Sequence, residues 1–415
     1  MTPSDRRARR VVVTGIGAVT AAGIGVEPYW QSALEGRSHL APANGTMAAR
    51  FGPLSIGRAP LPPEAEGERA GAAAILAARE AIAGAGLEAA TPPGPRVRPR
   101  PSGVATDALP ADAGVVLGTC LGGMQPALGW IDEVTQADAT GEAAPPFPSE
   151  AGLAAPARRV ARACGLLGPI LTVSTACSSG AAAIAEACNW IRDGGADLML
   201  AGGAESLTPF VLSGFAILQT LTPGLMRPFD RRRDGLALGE GAAIVVLEER
   251  EAARRRRAPI LAEILGAGAT ADAHHMTAPA PEGEGLGRAI EAALAEARLD
   301  ASSIGFVNAH GTGTVHNDRA EAAALRRLFR RNGGAPVDAV KPVTGHTLGA
   351  SGGLETILCI RAIRSGLVPP TIGCEQPETD LDIVRGGPRR GGMTTALSLS
   401  CGFGGHNVAL VVAAP

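Results

Sequence analysis

The chain has 415 residues, of which 46% are hydrophobic, 19% are charged and 3% are aromatic, and its formal net charge is −2. This composition can bury a sizeable core, and the charge balance excludes a general attraction to nucleic acid or to an anionic membrane surface. Because no run of about 18 apolar residues occurs, a membrane span is also excluded.

Strand-like and helix-like patterns alternate along the chain. This alternation predicts an α/β protein with helices packed on sheets, of two or three domains or one large domain built from a repeated unit. The first run, Val11 to Gly17, is valine-rich and broken by glycines, so it indicates a core strand rather than part of a signal peptide. The predicted buried strands are Val11–Ile16, Ala113–Gly118, Asp197–Ala201, Ala242–Leu247, Ile304–Asn308 and Thr395–Ser400, and the predicted helices are Arg69–Ala85, Ala155–Cys164, Leu286–Arg298, Asp318–Arg331 and Gly352–Arg364.

One segment, Ala89 to Asp112, breaks this alternation. It is rich in proline and lacks apolar periodicity, which indicates a surface excursion rather than a linker between domains. Its arginines, Arg96, Arg98 and Arg100, are compatible with a docking arm, but a solvated loop is the better interpretation.

The seven cysteines are widely spread along the chain, and no CxxC spacing occurs. This distribution predicts neither a disulfide framework nor a zinc site, so we expect no bound metal. The same cysteine usage is typical of a reducing compartment and predicts a cytoplasmic protein.

The stretch LTVSTACSSG places Cys177 where an apolar β-type run, Leu171 to Ala176, gives way to an alanine-rich helical pattern, Ser178 to Ile191. We expect the thiol to lie on the first turn of that helix. Unpaired N–H groups and a partial positive charge at a helix N-terminus favour a thiolate, lower its pKa and can hold an oxyanion. A small buried core cysteine is an equally good interpretation of this position taken alone.

Two histidines and a glycine-rich loop follow further strand-like runs. His310 lies in NAHGTGTVHND, where Gly311 and Gly313 allow a ligand to approach closely, and His346 lies in KPVTGHTLGASGGLE after a short extended run. The third segment is SCGFGGHN near the C-terminus. A histidine near a strand end is more often structural than catalytic. However, Cys177, His310 and His346 all lie at equivalent strand ends, where α/β sheets collect their ligands.

These motifs carry a resemblance to a known family. STACSSG, HGTGT, KPVTGHTLGASGG and CGFGGHN, in this order and spacing, resemble the condensing enzymes, which are β-ketoacyl-acyl carrier protein synthases of the elongating type and related polyketide ketosynthases. RPFDRRRDGLALGEGAAIVVLEE at Arg227 to Glu249 and DAHHMTAPAP at Asp272 to Pro281 also match. The resemblance runs from Val11 to the GFGGHN segment, essentially the whole chain.

The resemblance implies an α/β protein with the thiolase fold, a duplicated layered α-β-α-β-α architecture. Residues 1–260 are expected to form the half that carries the nucleophilic cysteine, with the proline-rich excursion at 89–112, and residues 261–415 the half that carries both histidines. No cofactor is expected on the enzyme itself, because substrates of this family are carried on the phosphopantetheine of an acyl carrier protein. The expected partners are that carrier protein and a second subunit, either an identical chain or a ketosynthase-like chain-length subunit.

The implied reaction is a decarboxylative Claisen condensation by an acyltransferase. Cys177 takes an acyl chain from a carrier protein, malonyl-carrier protein loses carbon dioxide, and the resulting enolate attacks the acyl group. His310 and His346, as neutral imidazoles, are expected to stabilise the enolate oxygen. The resemblance further implies an oxyanion hole from the backbone N–H groups of Cys177 and Phe403, a gate at Phe403, a catalytic Lys341 in a buried ion pair with Glu355, pantetheine contacts from Thr312 and Thr314, and a second mobile loop with Asp272 and Thr277.

Two departures from the family pattern bear on substrate and partner. Cys401 stands where the family usually has phenylalanine, which predicts a larger or softer pocket beside the nucleophile and a bulkier or more rigid acyl chain. The segment that matches the family's basic carrier-docking helix, Pro62 to Ala73, holds Arg69 as its only cation, so docking is expected to use Arg227 and Arg231 to Arg233. With the proline- and arginine-rich composition, these departures favour a type II polyketide pathway, with a fatty-acid elongating enzyme as the alternative.

Three other classes are disfavoured by particular residues. A thiolase needs a second catalytic cysteine in place of one histidine, whereas the HGTGT and TGH segments favour a Cys-His-His synthase. A non-catalytic chain-length subunit is expected to have lost the nucleophile, and Cys177 is present. A nucleotide-binding oxidoreductase is disfavoured because Thr20 occupies the third glycine of the GxGxxG pattern that follows Thr14.

Overall fold

The structure is a computed structural model that describes residues 9–43, 45–88, 108–110, 112–329 and 334–415. Most of the excursion predicted at 89–112, with its three arginines, lies outside the described residues, as do the last two residues of the helix predicted at 318–331. The strands are β1 (Val11–Thr20), β2 (Gly23–Ile24), β3 (Ala41–Pro42), β4 (Ser55–Gly57), β5 (Gly114–Gly118), β6 (Ile170–Val173), β7 (Leu198–Glu205), β8 (Leu238–Gly239), β9 (Gly241–Glu249), β10 (Ala262–Ala271), β11 (Phe306–Asn308), β12 (Val337–Asp338), β13 (Leu367–Val368), β14 (Arg389–Arg390), β15 (Thr395–Gly402) and β16 (His406–Ala413). The α-helices are α1 (Val26–Leu34), α2 (Gly45–Phe51), α3 (Arg69–Gly84), α4 (Met124–Thr140), α5 (Ala155–Cys164), α6 (Ser179–Arg192), α7 (Pro209–Ile217), α8 (Arg250–Arg255), α9 (Glu284–Ala297), α10 (Val315–Phe329), α11 (Lys341–Thr344) and α12 (Ser351–Ser365).

One large sheet joins both halves of the chain. Its order is β12-β11-β15-β16-β10-β1-β9-β7-β5-β6, with the short β2 paired to β1. If the five strands of each half are numbered in chain order, both halves have the spatial order 3-2-4-5-1. The pairing directions agree as well, since strand 2 is parallel to strands 3 and 4 in each half and the other pairs are antiparallel. The halves therefore repeat one topology, and they meet where β1 pairs with β10, with Val12 opposite Glu263.

Helices cover this sheet in three layers. The central layer holds α6 and α12, which pack against each other and against the inward faces of both halves. Helices α3 and α5 cover the outer face of the first half, and α9 and α10 that of the second. The period-2 alternation of the strands explains this layering, because Val116 faces the central helices while Val115 and Leu117 face outward. The expected layered α-β-α-β-α architecture is confirmed.

Glycines in β1 and β10 let the outer helices approach the sheet closely. A Cβ at Gly15 or Gly17 would lie 1.9 or 2.0 Å from a carbonyl oxygen of α3. A Cβ at Gly266 or Gly268 would lie 2.2 or 2.0 Å from a carbonyl oxygen of α9. A side chain at any of these positions would push the helix away, so the same device serves the equivalent strand of each half.

The predicted elements are confirmed, with ends that differ by a few residues. Among the described strands of eight or more residues, β10 and β16 lie outside the predicted set, and so do several strands of two or three residues. The run from Lys341 to Thr344, expected to be extended, forms a single helical turn with Pro342 at its start, a position that suits proline. Among the described helices, none is long and apolar enough to cross a membrane.

Candidate active site

The three catalytic candidates meet between the two halves. Cys177 follows β6, His310 follows β11, and His346 follows β12 and the short helix α11. All three line one cavity, so the equivalent strand ends do converge. The other predicted site residues that line this cavity are Asp272, Thr277, Thr312, Thr314, Cys401 and Phe403.

The backbone at Cys177 turns sharply from strand to helix. Ala176 has a φ of 52°, in the left-handed region that residues other than glycine rarely adopt. Helix α6 begins at Ser179 with Ser178 as its N-cap, so Cys177 lies just before the helix and not on its first turn as predicted. The Ser179 hydroxyl fixes the turn by donating to the Ala176 carbonyl (2.5 Å) and accepting the Thr175 N–H (2.9 Å).

The Cys177 thiol is buried, with only 5% of the residue exposed. Burial raises the pKa of Cys177 to about 12, because the thiolate would lose its hydration, while the Lys341 ammonium and a hydrogen bond from the Phe403 N–H act in the opposite direction. The predicted lowering of this pKa is therefore wrong, since desolvation outweighs the favourable charges around the sulfur. At neutral pH the residue is a thiol.

His310 and His346 are buried beside it. Burial and the nearby Lys341 ammonium hold the pKa of both imidazoles well below the usual range. The two rings meet edge to face, with centroids 5.3 Å apart and planes at 85°. Both rings are therefore neutral at physiological pH, the state in which each has one N–H to donate.

Lys341 determines which nitrogen of His310 carries the proton. Its Nζ lies 3.2 Å from His310 Nδ1 and also donates to the His310 carbonyl oxygen and to Glu355, with which it forms a buried ion pair. An ammonium has three N–H donors and no lone pair, so Nδ1 must accept and the proton resides on Nε2. Burial raises the pKa of Glu355, and Lys341 opposes that rise.

His346 is held by neutral groups. Its Nδ1 lies 3.0 Å from Ser351 Oγ, which in turn lies 3.1 Å from Thr347 Oγ1. Its backbone N–H donates to the Ala237 carbonyl oxygen over 2.7 Å. The sequence does not identify Ser351, the first residue of α12, as a site residue, because a serine in a glycine-rich turn carries no distinctive sequence signal.

Two buried carboxylates of α10 anchor the loop that holds His310. Glu321 accepts the N–H groups of His310 (2.6 Å) and Gly311 (2.9 Å), and Asp318 accepts that of Gly313 (3.2 Å). Burial raises the pKa of Glu321 to about 7. The sequence signal that marks both acids is their i, i+3 spacing on one face of the helix that follows HGTGT.

The GFGG loop lies over the cavity and is tied to the loop that carries Asp272. The Phe403 ring stacks on Phe215 of α7, with centroids 5.5 Å apart and planes at 22°. Asp272 accepts the side-chain amide of Asn407 (2.8 Å) and donates its own N–H to the Gly405 carbonyl (2.8 Å). The sequence does not identify Phe215 as a site residue, because an aromatic residue in an apolar helix has the same sequence pattern as a core residue.

The remaining predicted residues lie around the same cavity. The hydroxyl oxygens of Thr312 and Thr314 are 2.9 Å apart, and the Thr277 N–H donates to His275 Nδ1 over 3.1 Å. Cys401 is partly buried at the end of β15, and burial raises the pKa of its thiol.

The arginines considered for carrier docking differ in their accessibility. Arg69 is only 3% exposed and forms an ion pair inside the protein, so the one cation of segment 62–73 does not face a partner. Arg232 and Arg233 are engaged in salt bridges. Arg227 is half-buried and Arg231 is exposed, and in the part of the chain that the structure describes neither forms a salt bridge.

Comparisons with known proteins match nearly the whole chain. Residues 65–253 match the family model "Beta-ketoacyl synthase, N-terminal domain", and residues 261–375 match "Beta-ketoacyl synthase, C-terminal domain". The tetracenomycin polyketide synthase ketoacyl synthase alpha subunit of Streptomyces glaucescens is 36% identical over 98% of this chain and 97% of its own length. The 3-oxoacyl-[acyl-carrier-protein] synthase 2 of Coxiella burnetii is 36% identical over 97% of this chain and 98% of its own.

Solved structures agree with these sequence matches. The ishigamide ketosynthase/chain length factor superimposes with a TM-score of 0.87 at 32% identity, over 98% of this chain and 99% of that chain. A type II polyketide synthase acyl-carrier protein in complex with its ketosynthase bound to the hexaketide gives a TM-score of 0.85 at 30% identity, over 98% of this chain and 100% of that chain.

Proposed function

The chain belongs to the β-ketoacyl synthase family, and on that premise we propose that it catalyses decarboxylative condensation with Cys177 as the acyl carrier and His310 and His346 as the decarboxylation pair. The observation that carries this proposal is the convergence of one buried thiol and two neutral imidazoles on a single cavity between the halves.

In the first half-reaction the Cys177 sulfur bonds to the acyl carbon of a carrier-bound thioester, and the pantetheine sulfur leaves. The proton that burial keeps on Cys177 ends on the leaving sulfur, and a neutral imidazole of the cavity is available to pass it on. The backbone N–H groups of Cys177 and Phe403 hold the oxyanion of the tetrahedral intermediate. The hydrogen bond from the Phe403 N–H to the Cys177 thiol supports this assignment, because it aims a donor at the reacting centre.

In the second half-reaction the malonyl group loses carbon dioxide, and the electron pair of the broken C–C bond remains as an enolate. The N–H groups of His310 and His346 donate to the enolate oxygen, and the contact of Lys341 with Nδ1 favours this role because it keeps the His310 proton on Nε2. The enolate carbon then bonds to the acyl carbon on Cys177, the thiolate leaves, and a β-ketoacyl thioester two carbons longer is released.

The residues around the cavity supply the substrate path. Thr312 and Thr314 hydrogen-bond the pantetheine arm, with the proximity of their two hydroxyls in support. Phe403 is the gate over the acyl pocket, and the loop with Asp272 and Thr277 opens with it. The hydrogen bonds of Asp272 across the two loops favour this coupled movement.

Cys401 favours the polyketide pathway over primary fatty-acid synthesis. Its side chain lines the cavity and is much smaller than phenylalanine, so it leaves room for a bulky or rigid acyl chain. Relatives named for polyketide synthesis and for 3-oxoacyl-carrier protein synthesis match this chain equally well, and a fatty-acid elongating role is therefore the second candidate.

A second subunit, identical or a chain-length subunit, covers the edge of the sheet at β6. This strand pairs only with β5 in the described sheet. Large apolar side chains at the start of this strand and just before it face solvent, with Ile170 44% and Leu167 81% exposed. An open edge flanked by apolar surface is typical of an interface.

The acyl carrier protein docks through Arg227 and Arg231. The resemblance implies a basic docking surface for the carrier protein, and these two cations are not engaged in salt bridges within the described residues. Arg227 lies beside the HGTGT loop, since a Cβ at Gly313 would lie 3.3 Å from its backbone nitrogen.

The division of the chain into residues 1–260 and 261–415, and a cytoplasmic location, belong to the same proposal. The repeat of strand order, which changes from one half to the other between β9 and β10, favours that division. The seven free cysteines favour a reducing compartment.

Acyl transfer to the intact protein tests the proposed function. After incubation with an acyl-carrier protein, peptide mass spectrometry should find the acyl group on Cys177 and on no other cysteine. The matched control is Cys188→Ala, which removes a fully buried thiol from α6 and should leave the adduct in place. An adduct at another residue, or none with any acyl chain on a folded protein, would overturn the assignment.

A further inference from the structure

Glu205, the last residue of β7, is a buried carboxylate that the proposed mechanism does not use. It is only 1% exposed, and it forms no salt bridge with any described residue. Its Oε2 accepts the N–H groups of Cys120 (2.6 Å) and Gly349 (3.3 Å). Its Oε1 accepts the Leu121 N–H (3.2 Å) and the Thr119 hydroxyl (3.2 Å). Backbone groups from two separate segments therefore depend on one side chain.

These two segments come from opposite halves of the molecule. Cys120 and Leu121 follow β5 in the first half and pack against the apolar cluster that contains Cys177. Gly349 lies in the second half, three residues after His346, in the turn that leads into α12. The carboxylate thus joins the wall beside the nucleophile to the turn that presents a histidine.

The fit between these parts is close. A Cβ at Gly349 would lie 2.9 Å from Glu205 Oε2 and 2.6 Å from the Thr119 backbone, so the turn rests directly on the carboxylate and the loop. A small displacement of Glu205 would move both segments together.

We propose that Glu205 is a positioning residue that keeps the wall of Cys120 and Leu121 beside Cys177 in register with the His346 turn, and that it contributes a negative charge that acts on Cys177. This inference rests on the proposed role of Cys177 as nucleophile. A residue of this kind would act on the reaction without touching the substrate.

The charges around Cys177 define the expected electrostatic effect. Glu205 and Glu355 raise the pKa of Cys177, and Lys341 lowers it. The other titratable groups among the described residues that face this space are the thiols of Cys120 and Cys401, the side chain of Asp272 and the imidazoles of His310, His316 and His346. Burial raises the pKa of Glu205 to about 7, so the carboxylate is ionised across the alkaline range in which Cys177 titrates.

Glu205→Gln tests the role of the carboxylate while the size of the side chain stays the same. Glutamine keeps the size but presents one acceptor oxygen, so part of the N–H set loses its partner, and it removes the charge. The pH midpoint for alkylation of Cys177 by iodoacetamide, followed by peptide mass spectrometry, should fall by about one pH unit. Condensation at neutral pH should fall about tenfold or more, because the two segments lose register. In Glu205→Asp the charge remains, but the shorter side chain draws the carboxylate back from the N–H groups. Condensation should therefore fall, whereas the pH midpoint for alkylation of Cys177 should stay near that of the parent protein.

Glu80→Gln is the matched control. Glu80 on the outer helix α3 also accepts two backbone N–H groups, those of Ala18 (2.9 Å) and Val26 (2.8 Å). Its replacement by glutamine should leave the pH midpoint for alkylation of Cys177 unchanged. An unmoved midpoint in Glu205→Gln, or an equal shift in Glu80→Gln, would overturn the proposal. If Glu205→Gln does not fold, an unaltered condensation rate in Glu205→Asp would overturn it instead. Failure of the parent protein to form any acyl adduct on Cys177 would count against the proposed function and not against Glu205.

Discussion

The two halves share one topology but place different chemistry at equivalent positions. Between its third strand and its central helix, the first half presents Cys177 and the second half presents His346. After its second strand, the first half presents Cys120 in the wall beside Cys177, and the second half presents His310. In the proposed mechanism one half therefore supplies the nucleophile and the other supplies the donors for the enolate. The duplicated topology brings them together because the segments that lead into both central helices line the same cavity.

The interiors of the halves differ in polarity at the same place. The last residues that pair between strands 2, 3 and 4 form one row across the sheet. The side chains of this row are small and apolar in the first half and polar in the second. Helix α6 rests directly on the apolar row, since a Cβ at Gly118 would lie 2.3 Å from the Ser179 backbone. At this row the first half therefore has close apolar packing, whereas the second half holds buried polar side chains. The rows are Gly118, Val173 and Gly203 in the first half and Asn308, Asp338 and Ser398 in the second.

Removal of the proposed nucleophile should distinguish the roles of the two halves most clearly. In Cys177→Ala condensation should fall on the order of a thousandfold or more, because no acyl-enzyme forms. Carbon dioxide release from malonyl-carrier protein should persist, because His310 and His346 remain in place. Loss of both activities in a folded variant would show that the division of labour between the halves is wrong.

The complementary change, His346→Ala, should act on the other half-reaction. We expect decarboxylation of malonyl-carrier protein to fall about a hundredfold, because one donor to the enolate oxygen is lost. Acylation of Cys177, measured by mass spectrometry of the peptide adduct, should fall less. His39→Gln, at a partly buried histidine that pairs with Ser32, is the control and should leave both half-reactions intact. Equal losses in His346→Ala would contradict the assignment.

Cys401→Phe tests the difference between the halves at the cavity wall, where the end of β15 in the second half lies across from Cys177 of the first half. A phenylalanine would fill the space that the thiol leaves, so bulky acyl chains should lose about tenfold relative to short ones. The measurement is the competition between acyl-carrier proteins of different chain type for Cys177. Cys401→Ser, which keeps the size, should retain the parent preference. Unchanged selectivity in Cys401→Phe would remove the support that this position gives to a polyketide pathway.

The sequence predicts those elements of the fold whose signal is local. The valine-rich run of β1 is visible as a strand, whereas β10 is hidden because Gly266 and Gly268, which the packing of α9 requires, interrupt its apolar pattern. The duplication is invisible in the sequence, because strand order depends on pairings between distant segments.

The residues of the candidate site also fall into those with a local signal in the sequence and those without one. Cys177 and the two histidines are predictable because each follows a strand within a short motif. Glu205 and Ser351 are not, because they act through contacts with segments far away in the chain. The pKa of Cys177 goes in the direction opposite to the local prediction, because its burial comes from both halves.

Asp338→Asn, for which we expect the smallest effect, tests the buried polar row of the second half, which consists of Asn308, Asp338 and Ser398. Asp338 Oδ1 accepts the side-chain amide of Asn308 over 2.9 Å, and Oδ2 has no hydrogen-bond partner among the described residues. Burial raises the pKa of Asp338 to about 7, with Glu355 adding to the rise and Lys341 opposing it. In the unfolded chain the pKa of an aspartate is about 3.9, so the folded protein binds this proton more tightly.

The sign of the expected pH dependence follows from that difference. The contribution of Asp338 to stability is fully present below about pH 4 and is lost as the pH rises through about 7, because a buried carboxylate must then ionise. Asparagine cannot ionise, so the melting temperature of Asp338→Asn relative to the parent should rise by about 2 °C or more between pH 5 and pH 8. The exposed Asp138→Asn should show no such trend in the same thermal unfolding series. A relative melting temperature that falls with rising pH would mean that the row stabilises an ionised Asp338. The polar row would then hold a buried charge, as the Lys341 and Glu355 pair does, whereas the equivalent row of the first half is apolar.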